Sequence, residues 1–182
     1  MSTTEIIHKY YHDNPPLEAL LLQHCRQVAE RALTIAKQQP GLDIDVDFVA
    51  EAAMLHDIGI YLTDAPGIHC HGTAPYLLHG YLGAQLMRRE GLERVARVCE
   101  RHTGTGLTAQ QIQLQQLPLP AGQYVPVTLE EQLICYADKF YSKSHPERTR
   151  TIAQTARSLE KFGEEGVKKF MEWAALFEPQ AL

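Results

Sequence analysis

The 182-residue chain is 45% apolar, 21% charged and 8% aromatic, a balance that closes one buried interior and excludes a disordered tail, collagen or a coiled coil. Seventeen Lys and Arg against 22 Asp and Glu leave a formal net charge of −5. With no basic block or stripe, nucleic acid is not expected as an obligate partner. The N-terminus lacks the basic start and apolar run of a leader, and no window approaches the ~18 apolar residues of a membrane span. Cys25, Cys70, Cys99 and Cys135 are scattered without a C-x-x-C pair, so a reducing cytoplasm is expected, with neither a zinc ribbon nor a disulfide framework.

Periodicity reads helical nearly throughout. Asn14-Pro15-Pro16 caps and starts a helix that carries Leu17, Leu20, Leu21, Val28 and Ile35 on one stripe and stops near Pro40-Gly41. A second begins about Asp47, carries Phe48, Val49, Ala52, Ala53 and Leu55, and meets Gly59, which suits a left-handed C-terminal cap. Residues 60–75 read as a loop rich in Gly, Pro and Asp. Pro75 opens a third helix to about Glu90, and Leu92, Val95, Val98 and Cys99 mark a fourth that ends at Thr103-Gly104-Thr105-Gly106.

The stretch 104–127 contains Leu117-Pro118-Leu119-Pro120 and reads as a surface excursion with at most a short helical piece. Thr128-Leu129-Glu130-Glu131 is a capping box for a fifth helix to about Tyr141. Two more span roughly 149–161 and 164–177, the last with Val167, Phe170, Met171, Ala174 and Phe177 on one side as core or as a homodimer face. No alternating strand pattern competes. The expectation is an all-α, single-domain helical bundle over residues 1–182, with its functional core at about 17–142.

Polar residues interrupt the apolar stripes. His24 follows Leu17 and Leu21 at seven and three, and precedes Val28 by four. His56 follows Phe48 and Ala52, and Asp57 follows Val49 and Ala53, at eight and four in both cases. His102 ends the Leu92, Val95, Val98, Cys99 stripe, and Asp138 follows Ile134 by four. His79 precedes the small residues Gly80, Gly83 and Ala84. One inward His is ordinarily a hydrogen-bonded core residue. Six buried imidazoles and carboxylates, however, must be paired or neutralised, because each costs several kcal/mol if left alone. Divalent cations do both. Nitrogen and oxygen donors together suit Fe, Mn, Zn, Co or Ni, and four His with two Asp exceed the needs of one ion. Two ions sharing a carboxylate is the natural arrangement.

The ordered set His24, His56-Asp57, Asp138 resembles the metal signature of the HD-domain superfamily, and Leu55-His56-Asp57-Ile58-Gly59 matches its HDIG form. His79 and His102 resemble the additional pair of the two-metal subset. Arg101-His102-Thr103-Gly104-Thr105-Gly106-Leu107-Thr108 and the segment from Tyr124 to Tyr136-Ala137-Asp138-Lys139 also look like small stand-alone HD-domain phosphohydrolases. The resemblance implies that His24, His56, Asp57 and Asp138 hold one ion, and that Asp57 bridges to a second completed by His79 and His102. Two departures stand out: Ile60 replaces the Lys of many HDIG proteins, and no Gly-Tyr-Pro follows His102, which argues against the cyclic-dinucleotide phosphodiesterases that carry it.

Two adjacent ions generate a hydroxide near neutral pH and polarise a phosphoryl oxygen. The expected reaction is hydrolysis of a small phosphoester, commonly a nucleotide among the relatives, with Asp57 and Asp138 as the catalytic residues that orient the water. Lys139 and Arg101 are the nearest phosphate contacts in sequence. A neighbour of a helical ligand faces about 100° away, so a solvated surface cation is the plainer reading for both. His69 and His71 sit in the 60–75 loop and are candidates to line the mouth of the site. His8, His12 and His145 read as surface residues.

The same six ligands also suit a mixed-valence di-iron oxygenase of the HD-domain type. Hydrolysis survives without oxygen and with Mn in place of Fe, whereas oxygenation fails under both conditions. A non-catalytic binding module is disfavoured because all six ligands are present.

Overall fold

A computed structural model describes the whole chain, Met1–Leu182. It comprises nine α-helices: α1 (Thr3–Tyr11), α2 (Pro15–Gln38), α3 (Val46–Leu55), α4 (His79–Arg89), α5 (Glu93–Arg101), α6 (Ala109–Leu114), α7 (Leu129–Asp138), α8 (Ile152–Leu159) and α9 (Glu164–Phe177). The all-helical expectation holds.

Local chemistry sets most of the helix starts. Asn14 Oδ1 accepts from Leu17 N at 3.2 Å at the head of α2, with Pro15 and Pro16 in the first turn. Asp45 caps α3 through Phe48 N, and reciprocal capping boxes start α6 (Thr108 with Gln111) and α8 (Thr151 with Gln154). Thr128 caps α7 through Glu131 N at 3.2 Å, but the box expected there is only half made. The Glu131 carboxylate accepts from Val127 N and from Arg101 instead of reaching back to Thr128.

Helix α1 was not anticipated from periodicity. It begins with a capping box in which Ser2 Oγ accepts from Glu5 N and Glu5 Oε2 accepts from Ser2 N. Its inward residues Ile6, Ile7 and Tyr11 are buried, and the Tyr11 hydroxyl donates to the Ile58 carbonyl at 2.8 Å.

Two further expectations need correction. The stretch 60–75 is not plain loop, because it holds a two-stranded antiparallel hairpin, β1 (Asp64–Ala65) and β2 (Cys70–His71), between single 3-10 turns. Gly59 is not in a left-handed cap, its φ being −87°. It is small because another backbone needs its space: a Cβ there would lie 2.2 Å from the His79 carbonyl oxygen and 2.4 Å from Gly83 N. The turn after α3 is thus pressed against the start of α4.

Helix α2 packs along α3 and α7, α4 lies along α5, and α9 closes over α7 and α8. One contiguous cluster of 37 buried apolar residues runs from Ile6 to Phe177. Phe170, Trp173, Ala174 and Phe177 of α9 enter it, with Tyr136 stacked on Phe170 and Phe140 tilted against the same ring. Ile60 is fully buried in the same cluster.

Candidate metal centre

All six inward polar residues converge. His24, His56, Asp57 and Asp138 form one donor group and Asp57, His79 and His102 a second, with the donor atoms of each group within 4.8 Å of one another. Asp57 belongs to both. His24 lies inside α2, whereas the other five occupy helix ends: His56 and Asp57 directly after α3, His79 at the first residue of α4, His102 directly after α5 and Asp138 at the last residue of α7. The C-termini of three helices therefore meet there, and each brings a partial negative charge that favours a cation.

The carboxylate oxygens sit among the imidazole nitrogens. Asp57 Oδ2 is 3.1 Å from His24 Nε2 and 3.2 Å from His56 Nε2. Asp57 Oδ1 is 3.4 Å from His79 Nε2 and 3.3 Å from His102 Nε2. Asp138 Oδ1 lies 3.0 Å from His24 Nε2 and 3.5 Å from His56 Nε2.

Three of the four rings are oriented by their own backbone. Nδ1 of His56 donates to the Ala53 carbonyl, Nδ1 of His79 to Tyr76 and Nδ1 of His102 to Cys99, each at 2.7 Å. This hydrogen-bond pattern assigns the tautomer and presents Nε2 inward, the arrangement usual for a metal-ligating imidazole. His56 Nε2 and Asp57 Oδ1 are buried yet make no hydrogen bond of proper geometry, and Asp57 Oδ2 has only an ammonium, that of Lys143, as a charged donor beside it. Orphaned atoms of this kind are costly unless something else binds them. Donors sharing one ion with bonds of about 2.0–2.2 Å lie about 3.0–3.6 Å apart, which is the spacing found. The buried His/Asp group fits a divalent metal site.

The electrostatics agree. Burial opposes a charge on Asp57, but Lys143 and His56 outweigh it and hold the carboxyl well below its ordinary range. Asp138 is lowered likewise, with Lys139 and His24 overcoming burial. Burial drives His79 down to about 3 and also lowers His102, which keeps both rings neutral. On His56 burial disfavours the proton, but Asp57 beside it prevails and raises the pKa well above its usual value, so without a cation Nε2 also carries a proton, which a bound cation would displace.

Lys139 is no surface cation: its ammonium lies 2.5 Å from Asp138 Oδ2 and donates to the His102 carbonyl at 2.9 Å. Arg101 is not a solvated cation either, because its Nη1 donates at 3.0 Å to both oxygens of Glu131, a carboxylate only 4% exposed. That guanidinium is committed to the Glu131 pair, not to the cluster. His69 and His71 are exposed and outside both donor groups, and His69 takes a left-handed backbone, φ 63°, while its carbonyl accepts from Asn14. His8, His12 and His145 are exposed.

One residue at the centre was missed. Lys143, from the segment between α7 and α8, places Nζ 2.6 Å from Asp57 Oδ2. Burial works against its charge, but Asp57, Tyr76 and Asp138 outweigh it and hold its ammonium well above the ordinary value. Its flanks, Ser142 and Ser144, carry no apolar period, so only the spacing of five from Asp138 hinted at it.

Residues 21–143 match the family model of the HD domain, and the chain belongs to that family. An uncharacterized protein of Methanocaldococcus jannaschii is 36% identical over 121 residues, which cover 65% of this chain and 64% of that one. The tRNA (cytidine(56)-2'-O)-methyltransferases of Thermoplasma volcanium and Picrophilus torridus are 35% and 33% identical over 67% and 68% of this chain. The match spans 32% of the length of each methyltransferase. Among solved structures, the HD domain of the L. monocytogenes phosphodiesterase PgpH shares the fold, with a TM-score of 0.55, 15% identity and coverage of 92% of this chain and 93% of that one. No helix is long and apolar enough to cross a membrane.

Proposed function

We propose that this chain is a metal-dependent phosphohydrolase that cleaves a small phosphoester, a nucleotide or related phosphate, at a centre holding two divalent ions. The observation that carries the reading is the position of Asp57. Its two oxygens face two different donor groups, Oδ2 toward His24 and His56 and Oδ1 toward His79 and His102. One ion would be held by His24, His56, Asp57 and Asp138, the other by Asp57, His79 and His102. When bound, such ions supply Lewis acidity that activates water and polarises a phosphoryl oxygen.

The chain's own residues hold that chemistry in place. The Nδ1 bonds to Ala53, Tyr76 and Cys99 keep three imidazoles from turning. Lys139 fixes Asp138 through Oδ2 and leaves Oδ1 toward His24. The packed turn at Gly59 fixes Asp57 relative to His79. Asp57 and Asp138 are the residues that would orient the attacking water.

The test is elemental analysis of protein purified without oxygen, followed by a phosphate-release screen over nucleotides and sugar phosphates. The expected result is a bound transition metal and turnover that persists anaerobically and with Mn. Turnover that requires both oxygen and Fe assigns the centre to oxygenation instead.

A further inference from the structure

The centre carries more positive charge than holding cations requires. Lys143 Nζ contacts Asp57 Oδ2 and Lys139 Nζ contacts Asp138 Oδ2, so each carboxylate of the cluster already has its own ammonium. Imidazoles bind cations as neutral groups. With the four histidines in that state, two Asp and two Lys sum to zero, and every divalent ion adds two uncompensated charges in a buried place. Such charges need a partner. An anion has to accompany the ions.

The two lysines are not equivalent. Lys139 is tied down by a second bond to the His102 carbonyl and caps the end of α7. Lys143 reaches in from the connection to α8 and makes its one ion pair with Asp57. Its side chain keeps 13% exposure where Asp57 has none, so this side chain, unlike the carboxylate it meets, reaches the protein surface. The Tyr76 ring, stacked on His79, stands beside it with its centroid 6.0 Å from Nζ. An ammonium offers three donors and no lone pair, so it cannot itself be a metal ligand.

We propose that Lys143 is the residue that receives the substrate, seating an anionic oxygen of the phosphoryl group as the cations take over the Asp57 carboxylate. This rests on the phosphohydrolase reading and deepens it, because it names the group that selects charged over neutral esters. Lys139 in this arrangement is a positioning residue for Asp138.

The experiment titrates inorganic phosphate into the Mn(II)-loaded full chain by calorimetry, with Lys143→Met and Lys143→Arg alongside. Mn(II) affinity is measured separately without phosphate. Lys143→Met is expected to keep or gain Mn(II) affinity, since Asp57 loses its competing ammonium, while phosphate binds about ten- to a hundredfold more weakly. Lys143→Arg retains phosphate binding. Wild-type phosphate affinity in a fully Mn-loaded Lys143→Met overturns the role of Lys143 alone, as does loss of Mn(II) from that variant. A wild-type chain that takes up Mn(II) but no phosphate overturns it together with the proposed function. Lysine-dependent phosphate binding with no phosphate released from any ester overturns the hydrolase reading and leaves Lys143 as an anion receptor. Thermal melts check folding, and Lys143→Gln replaces the Met variant if that one does not fold.

Discussion

His79 and His102 aim their Nε2 atoms at one another across 3.0 Å, while each spends its Nδ1 hydrogen on a carbonyl three residues earlier. In that tautomer both facing nitrogens carry lone pairs, and Asp57 Oδ1 adds a third within 3.4 Å. Three electron-rich atoms pointed at one spot in a buried place repel each other unless a positive charge sits among them.

His79→Ala removes one of the three. The expected outcome is a folded protein whose metal content falls from two ions per chain to one, with the group around His24 still loaded. Elemental analysis against protein concentration reads this directly, and unchanged stoichiometry defeats the two-ion arrangement.

Asp57→Ala acts on both groups at once. Metal content and phosphate release are expected to fall together to background, while circular dichroism stays helical. Retention of metal and turnover in this variant contradicts the central role of the carboxylate.

Acid should destabilise the cation-free protein in a way traceable to His79. Burial holds its pKa at about 3, against an ordinary value of 6.5. Between those limits the unfolded chain binds a proton that the folded chain refuses, so the stability it contributes is present above 6.5 and is lost as pH falls toward 3. Urea midpoints in chelator at pH 7 and pH 5 are expected to differ by about 2 kcal/mol more for the wild type than for His79→Gln. Equal pH dependence of the two proteins refutes the neutral, buried imidazole.

Gly59→Ala tests the packed turn. The added methyl group meets backbone atoms of His79 and Gly83 that cannot rotate away. A loss of at least about 1–3 kcal/mol is expected from overpacking, with weaker metal binding because His79 is displaced. A melting temperature within a degree or two of the wild type would mean that the two backbones part easily.

Arg101→Met separates scaffolding from substrate contact. It leaves the Glu131 carboxylate, 4% exposed, without its ion partner, and breaking a buried pair costs about 3–5 kcal/mol. Part of that is recovered here because Val127 N still donates to the Glu131 carboxylate. Stability should fall with KM unchanged; a raised KM at unaltered stability returns Arg101 to the substrate.

Much of this was legible in the sequence because helical periodicity exposes misfits. His24, His56, Asp57, His102 and Asp138 stood at positions where apolar residues were due, and all are buried. The parts that escaped depend on chain return in three dimensions. Lys143 lies in an irregular connection with no period to break, and its partner is 86 residues earlier in the chain. Arg101 looked solvated because the angular offset from a neighbouring ligand says nothing of a carboxylate arriving from another helix, and Lys139 because that offset ignores a flexible stem that turns the ammonium back onto Asp138 and the His102 carbonyl. Gly59 was assigned a backbone role that glycine often fills, whereas the requirement was room for α4. Helix α1 had its own signal, Ser2 followed by Glu5, but too few turns for a stripe to stand out.

The bond from the Tyr11 hydroxyl to the Ile58 carbonyl gives the N-terminal helix a share in a centre it does not line. That carbonyl belongs to the residue immediately after Asp57, and the same hydroxyl also receives Tyr61 N. Clipping the first thirteen residues would spare every side chain of the donor cluster and still slacken the turn on which the Asp57 carboxylate is mounted, so the shortened chain is expected to bind divalent cations more weakly as well as to lose the core packing of Ile6, Ile7 and Tyr11.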